Sequence, residues 1–454
     1  MHNPSPWADP ADREVETEVL ILGAGLAGLA AGSLLDDRTV VLEAEDRPGG
    51  LVRTERIGEY WFDHVIHLLY FSHPDVEDRV RSLLGDVLRP CPPDARVETG
   101  RGATRFPVQL NLFGLPPDVR AACLADLRAA HEKTTPPRDY EELLLGAFGR
   151  TLCELFFFPY NRKLWQRPLS SLSASGFHWN LTRPSVAEIE RGANSARPAS
   201  GYNSRGWYPR PTGDGRRGME VLSQALAGRV ADLRLRHVVT ALDPDARTVR
   251  TRSPEGITDF HYTHDCVSTL PLPTTVSLCR QAPTALVERC RDLPRNRVRS
   301  VALAVHGPRP RDTGHWRYYT REDVPFTRLV FMTEFDPDTA PADGWGVLAE
   351  VLEPSEGPRA PDDSLVAEVL RGVEEVGLLG PGSRIVGSRV FTSDPGYVVF
   401  TDTARDTAAE ATRFLASRGV TPLGRYGTWT YSSMSQVMEE AFAWGAERSA
   451  LPTT

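Results

Sequence analysis

Gly23, Gly25 and Gly28 stand at G-x-G-x-x-G spacing directly after the apolar run 17–22, and the stretch that follows, 27–35, is helical in composition. Glycines so placed serve three ends: a tight turn at Gly23, close approach of a pyrophosphate to the backbone at Gly25, and close packing of helix on strand at Gly28. The next β-branched run, 39–43, closes on Glu43, about twenty residues past Gly23, where a carboxylate can accept a hydrogen bond from a ribose hydroxyl. Strand, glycine turn, helix, strand and terminal carboxylate make one βαβ unit suited to a dinucleotide. Segment 19–35 is nearly long and apolar enough to cross a bilayer. Its three glycines at turn spacing (23, 25 and 28), and the Asp36, Asp37 and Arg38 that end it, fit the βαβ unit better.

Glu43 suits NAD or FAD equally. Beyond it, Gly49, Gly50 and Thr54 complete an E-x(5)-GG-x-x-x-T stretch that resembles the FAD-dependent amine oxidase superfamily. The resemblance implies non-covalent FAD, with the glycine pair and Arg53 along its pyrophosphate and flavin and Val239 as a further cofactor contact. Residues 158–165 (FPYNRKLW) look like a PYN-x-K-x-W motif, 104–111 like a PFQ segment, 316–331 like the paired strands that follow, and 424–431 like GR-[FY]-G-x-W-x-Y. These resemble one branch of the superfamily, the UDP-galactopyranose mutases and protoporphyrinogen-oxidase-like sequences, from about residue 17 to residue 446.

By that resemblance Asn161 and Trp165 face the substrate, Gln109, Tyr319, Tyr397 and Tyr431 line its pocket, Arg425 lies beside the flavin pyrimidine, and Arg105 and Arg328 are substrate contacts. Read without it, Trp165 is as well explained as core. His67 falls on a histidine near the flavin N5, where an imidazole can stabilise or protonate a reduced flavin. Val65 and Ile66 replace the two glycines before it, so that loop cannot take positive φ there without strain. The two arginines that clamp the substrate diphosphate in mutases align with Asn180 and His306, with Arg183, Arg309 and Arg311 nearby. A neutral group does not replace a bidentate guanidinium, so the expected substrate is sugar-like or nucleotide-sugar-like rather than ordinary UDP-galactopyranose.

Two chemistries stay open: a redox-neutral isomerisation in which the reduced flavin N5 is the nucleophile, and a net oxidation in which FAD takes hydride. Gly380 and Gly382 lack a strand–turn–helix context, so no dedicated nicotinamide domain is expected. NADPH or NADH, if it serves as external reductant, would bind transiently over the flavin.

Positioning these residues requires an α/β fold in which a discontinuous Rossmann-like FAD-binding domain (15–95, 211–275, 395–454) is interrupted by a helical substrate segment (96–210) and an antiparallel-sheet substrate domain (276–394). Helices are expected at 76–86, 115–133, 139–156, 222–227, 364–379, 405–418 and 436–448. Strands are expected at 233–242, 248–252, 257–263, 300–306 and 328–334. The Pro-, Gly- and Ser-rich stretch 184–216 reads as a surface connection. At 454 residues the chain suits more than one domain, and its net charge of −8 argues against nucleic-acid or anionic-membrane partners. The six scattered cysteines fit reduced packing residues, without a metal site, in a cytoplasmic protein, and the polar, acidic start is not a signal peptide. A small-molecule substrate is the expected partner.

The protein should purify yellow and release FAD on heating. Replacing Glu43 by Ala should weaken FAD binding by about 1.5–3 kcal/mol, the worth of a charge-assisted hydrogen bond. Fluorescence titration of the apoprotein measures this, and an unchanged affinity would contradict the assignment of Glu43.

Overall fold

The computed structural model describes residues 7, 10–65, 68–131, 135–176, 184–197, 199 and 205–449. The N-terminal strand Arg13–Leu22 pairs in parallel with Thr39–Leu42 on one side and with Gly256–Ser268 on the other. Asp232–Arg234 extends the sheet beyond Thr39–Leu42, while Thr248–Ser253 and Val238–Asp243 extend it antiparallel beyond Gly256–Ser268. Val420–Pro422 pairs with the far end of Gly256–Ser268. One sheet is thus assembled from stretches near residues 20, 240 and 420. The helix Leu26–Gly32 that follows its first strand is buried along its whole length. A Cβ at Gly28 would stand 1.9 Å from the Gly23 carbonyl oxygen, so helix and strand touch backbone to backbone.

A second sheet runs Arg384–Val398, Arg295–His306, Gly344–Pro354, Arg328–Phe331, Trp316–Tyr319, Ala95–Thr99, Gly102–Arg105. All its pairings are antiparallel except that of Trp316–Tyr319 with Ala95–Thr99. Its last two strands come from the segment read from sequence as helical, and Arg384–Val398 crosses the expected boundary at 394/395. Successive side chains alternate between faces. One face carries Tyr318, Val330 and Leu348 into the main core, and the other carries Tyr319, Leu329 and Val347 into a layer under the helix Asp362–Glu375.

Local structure departs from the sequence reading where short signals were outweighed. Within 184–216 lies the helix Val186–Asn194, opened by a capping box of Ser185 and Glu188. The expected helix 139–156 breaks at Gly149 (φ 76°) and restarts, reaching Trp165 through a π turn at Cys153–Phe157. The expected strand 233–242 divides into two strands. Strand 328–334 stops at Phe331, where the short helix Met332–Phe335 begins. Among the described residues no single helix is long and apolar enough to cross a membrane; Tyr140–Phe148 and Arg150–Trp165 pass that test only together, across a bend of 119°. All six cysteines are buried free thiols.

Asp63 ties three separate pieces together. Its carboxylate accepts from the Thr54 hydroxyl (2.6 Å), the Tyr208 hydroxyl (2.8 Å) and the Met219 N–H (3.1 Å). Burial outweighs these donors and raises its pKa to about 6. Between about pH 4 and pH 6 the unfolded chain releases this proton while the folded chain keeps it, so this group makes stability fall as pH rises through that window. Asp63→Asn should remove that contribution, a change on the order of 2 kcal/mol between pH 4.5 and 6.5. Melting curves at pH 4.5 and 6.5 compare the two proteins, and an undiminished pH difference in the variant would refute the assignment.

Candidate functional site

The glycine turn forms an open cradle. Gly25 caps the helix Leu26–Gly32 without any side-chain capping bond, and a Cβ built on it meets nothing within 4 Å. Gly49 bridges to Gly25, and Gly50 lies so close that its Cβ would stand 3.1 Å from the Gly25 Cα. Glu43 at the strand end accepts from the Ala24 N–H (2.9 Å) and the Glu45 N–H (3.0 Å). Each carboxylate oxygen keeps a further lone pair for a ribose hydroxyl. The segment carrying Val239 lies alongside, since the His237 N–H donates to the Glu43 carbonyl (2.8 Å). Arg53 is buried with its guanidinium turned back onto the Pro48 and Arg47 carbonyls, which holds the shape of the Gly49–Gly50 turn. Backbone N–H groups, absent side chains and a terminal carboxylate in this order fit the diphosphate and ribose of FAD.

The second cluster is built on the inner face of the antiparallel sheet. Arg328 pairs in register with Tyr318 and with Glu350. Its Nε and Nη2 each donate to Glu350 at 2.6 Å, with side-chain exposures of 13% and 3%. Around this ion pair stand Tyr160, Tyr318, Tyr397 and Tyr431. Tyr160 meets Tyr318 edge-on at 5.2 Å, and Tyr397 stacks on Tyr431 at 5.8 Å. Arg425 lies over the Tyr431 ring at 4.3 Å and donates to the Gly396 carbonyl (3.0 Å), while its Nε is buried without a partner. Burial raises the pKa of Tyr160, Tyr397 and Tyr431, so these hydroxyls stay neutral. Gln109, three residues past the Phe106 that packs on Tyr318, is 4% exposed with an unpartnered Oε1.

The helix Phe158–Trp165 holds the wall behind the tyrosines. Asn161 Oδ1 accepts from the Tyr140 hydroxyl (3.0 Å) and the Trp165 Nε1–H (3.1 Å), and its Nδ2 donates to the Phe157 carbonyl (2.7 Å). Trp165 is 1% exposed and meets the cluster through the edge of Tyr397 at 6.1 Å. Both residues thus brace the wall instead of presenting a free surface. Lys163 donates to the Arg321, Val324 and Phe326 carbonyls at 2.9, 2.9 and 2.6 Å, pinning the turn between the strands of Tyr318 and Arg328. Burial lowers its pKa to about 8.

Several expected site residues sit elsewhere. Tyr319 points to the opposite face, against Phe326 at 5.1 Å, and Tyr318 takes the place in the pocket. His306 ends a strand whose other end, Asn296, pairs with Tyr397. Ten residues at about 3.3 Å each put it roughly 30 Å from Tyr397, and six put it roughly 20 Å along the strand from Ser300, which pairs with Glu350; there it faces Asp343 at 3.5 Å. Arg309 is held at that same remote end by the Gly344 carbonyl. Arg105 is on the sheet's outer face, bonded to Asp94 at 3.0 Å. His67, Asn180 and Arg183 lie outside the described residues. Sequence reasoning missed Tyr160, Tyr318, Glu350 and the role of Lys163. Alternation from the buried Trp316 selects Tyr318, and a lone Glu within the apolar run 344–352 marks a buried charge that needs a partner.

The chain shares its fold with a reduced UDP-galactopyranose mutase at a TM-score of 0.86, with 22% identity and 96% of each chain covered. A protein from Exiguobacterium sp. 255-15 provisionally named a protoporphyrinogen oxidase superimposes at 0.69 (17% identity, 97% of this chain and 99% of that one). Cyclohexylamine oxidase from Brevibacterium oxydans IH-35A superimposes at 0.66 (16% identity, 97% and 99%). In sequence, Protein anon-37Cs of Drosophila melanogaster is 49% identical over 47 residues, which are 10% of this chain and span only 9% of that relative's length. The model of the flavin containing amine oxidoreductase family matches residues 26–443. With the FAD cradle and nearly the whole chain accounted for, the protein belongs to the flavin-containing amine oxidoreductase family and is an FAD-dependent enzyme.

Proposed function

We propose that this flavoenzyme is a mutase-type isomerase acting on a sugar or nucleotide-sugar-like substrate in the tyrosine pocket. The observation that carries the reading is Arg328. Glu350 takes two of its five N–H donors, and the others are left as a fork for phosphate or sugar oxygens. Neutral tyrosine hydroxyls donate and accept equally, as a polyhydroxyl ligand requires. The charges argue against an amine. Among the described residues of the cluster, Arg328 and Arg425 are two permanent cations against the one carboxylate of Glu350, so an alkylammonium would enter a field of its own sign. The fold likeness to a UDP-galactopyranose mutase supports the same substrate class.

In this reading Gly25, Gly49 and Gly50 would hold the FAD diphosphate, with Gly23 and Gly28 shaping the turn and the helix–strand contact behind it, Glu43 would hold a ribose with Val239 at the same end, and Arg425 would lie beside the flavin pyrimidine. Bound FAD supplies a nucleophilic N5 when reduced and a hydride acceptor when oxidised. Arg328 anchors the leaving nucleotide, Gln109 and the tyrosines orient the sugar, and the Asn161–Trp165 brace keeps Tyr397 in place. Arg328 offers a ligand its remaining N–H donors while Glu350 balances its charge, and His306 is too distant to add charge, so a substrate with less demand for a diphosphate clamp than ordinary UDP-galactopyranose is favoured, with UDP-galactopyranose as the reference probe.

Anaerobic, dithionite-reduced enzyme should convert UDP-galactopyranose or a related nucleotide sugar to its other ring form, read by chromatography. Arg328→Gln should weaken nucleotide-sugar binding tenfold or more, on the order of 1.4 kcal/mol and upward. Because a guanidinium does not titrate near neutrality, affinity should be flat from pH 5.5 to 7.5. Aerobic peroxide production from an amine, indifferent to Arg328→Gln, would move the protein to the oxidases.

A further inference from the structure

The outer face of the antiparallel sheet carries an arrangement the flavin chemistry does not use. Arg317 pairs directly with Arg96, and Arg96 with Arg105, on three adjacent strands. Like charges placed opposite one another across strands are destabilising, so a row of three needs compensation. Asp94 bridges Arg96 (2.8 Å) and Arg105 (3.0 Å). Arg317 donates to the Asp312 backbone carbonyl (2.8 Å), and Glu98, one row along, interacts with Arg317 and Arg321. The Nε–H groups of Arg96 and Arg317 remain buried without a partner. The three side chains line a cleft of about 320 Å³, whose other walls include Phe113, Ser195 and Asp312. Phe113 is 44% exposed, with the Arg120 guanidinium 5.2 Å from its ring centroid.

We propose that this cleft is a second anion site, on the opposite side of the sheet from Arg328, and that it takes an organic phosphate of nucleotide size. Its phosphates engage the Arg317–Arg96–Arg105 row, and its ring packs on Phe113. Guanidinium forks suit phosphate oxygens, the volume falls at the small end of ligand sites, and an exposed aromatic beside cations suits a base. Two strands serve both sites, because Arg317 precedes Tyr318 and Arg105 precedes Phe106.

Calorimetric titration of the FAD-loaded protein with inorganic pyrophosphate, ADP and adenosine tests this. Pyrophosphate and ADP should bind, ADP more tightly, adenosine should not, and added salt should weaken both. Arg317→Gln should lower pyrophosphate affinity about fivefold or more. Arg105→Gln should do the same, and its side chain is 41% exposed, so the fold survives its loss. Phe113→Ala should weaken ADP alone, and pyrophosphate binding should persist in Arg328→Gln. No pyrophosphate binding at millimolar concentration, or binding abolished only by Arg328→Gln, overturns the site. Equal affinities for ADP and pyrophosphate, unmoved by Phe113→Ala, overturn the nucleotide assignment.

Discussion

Arginine does not surrender its proton in a protein, so a buried arginine must bring its counter-charge with it. Arg328 does so through Glu350, its direct neighbour on the adjacent strand. That pairing constrains the sheet around it. A slip of one residue in the strand Arg328–Phe331 would turn Leu329 toward the tyrosines and drive Arg328 into the apolar layer of Val347 and Trp345, leaving Glu350 behind without its partner. Removing either partner would strand the other, at a cost of about 3–5 kcal/mol. The register that keeps the pair together also presents Tyr318 on the same face and Tyr319 on the other. The chemistry of the pocket and the packing of the layer behind it are therefore one decision, made by strand alternation.

Much of the cofactor half is legible in the sequence because its determinants are local. Gly23, Gly25, Gly28 and Glu43 are ordered by spacing within one βαβ unit, and the close approach at Gly28 follows from having no Cβ there. The substrate half is less legible because its determinants are distant. Glu350 is meaningful only opposite Arg328, and Gly344–Pro354 is buried on both faces, so its run lacks the alternation that marks a strand. Asp394, Pro395 and Gly396 are residue types that favour turns and fall at the expected boundary 394/395, although the strand Arg384–Val398 continues through them. The spacing that sets His306 beside a substrate says nothing of strand length, and a strand of this length carries a residue roughly 30 Å from its own beginning.

The brace behind the tyrosines gives the spacing of Asn161, Lys163 and Trp165 a structural meaning of its own. Asn161 and Trp165 are one helical turn apart, so the indole N–H reaches the amide oxygen directly. Lys163 lies between them in sequence and points to another side of the helix, toward the 321–326 turn. An ammonium has three donors, and the turn offers three carbonyls at hydrogen-bond distance. Each would otherwise be a buried acceptor lacking a partner. Burial favours the neutral amine, but an amine has one donor fewer and would leave one carbonyl unpaired. The match between three donors and three acceptors therefore opposes the loss of the proton. It joins the helix to both strands of the Arg328 hairpin, so that Tyr160, Tyr318 and Arg328, far apart in sequence, meet as one wall.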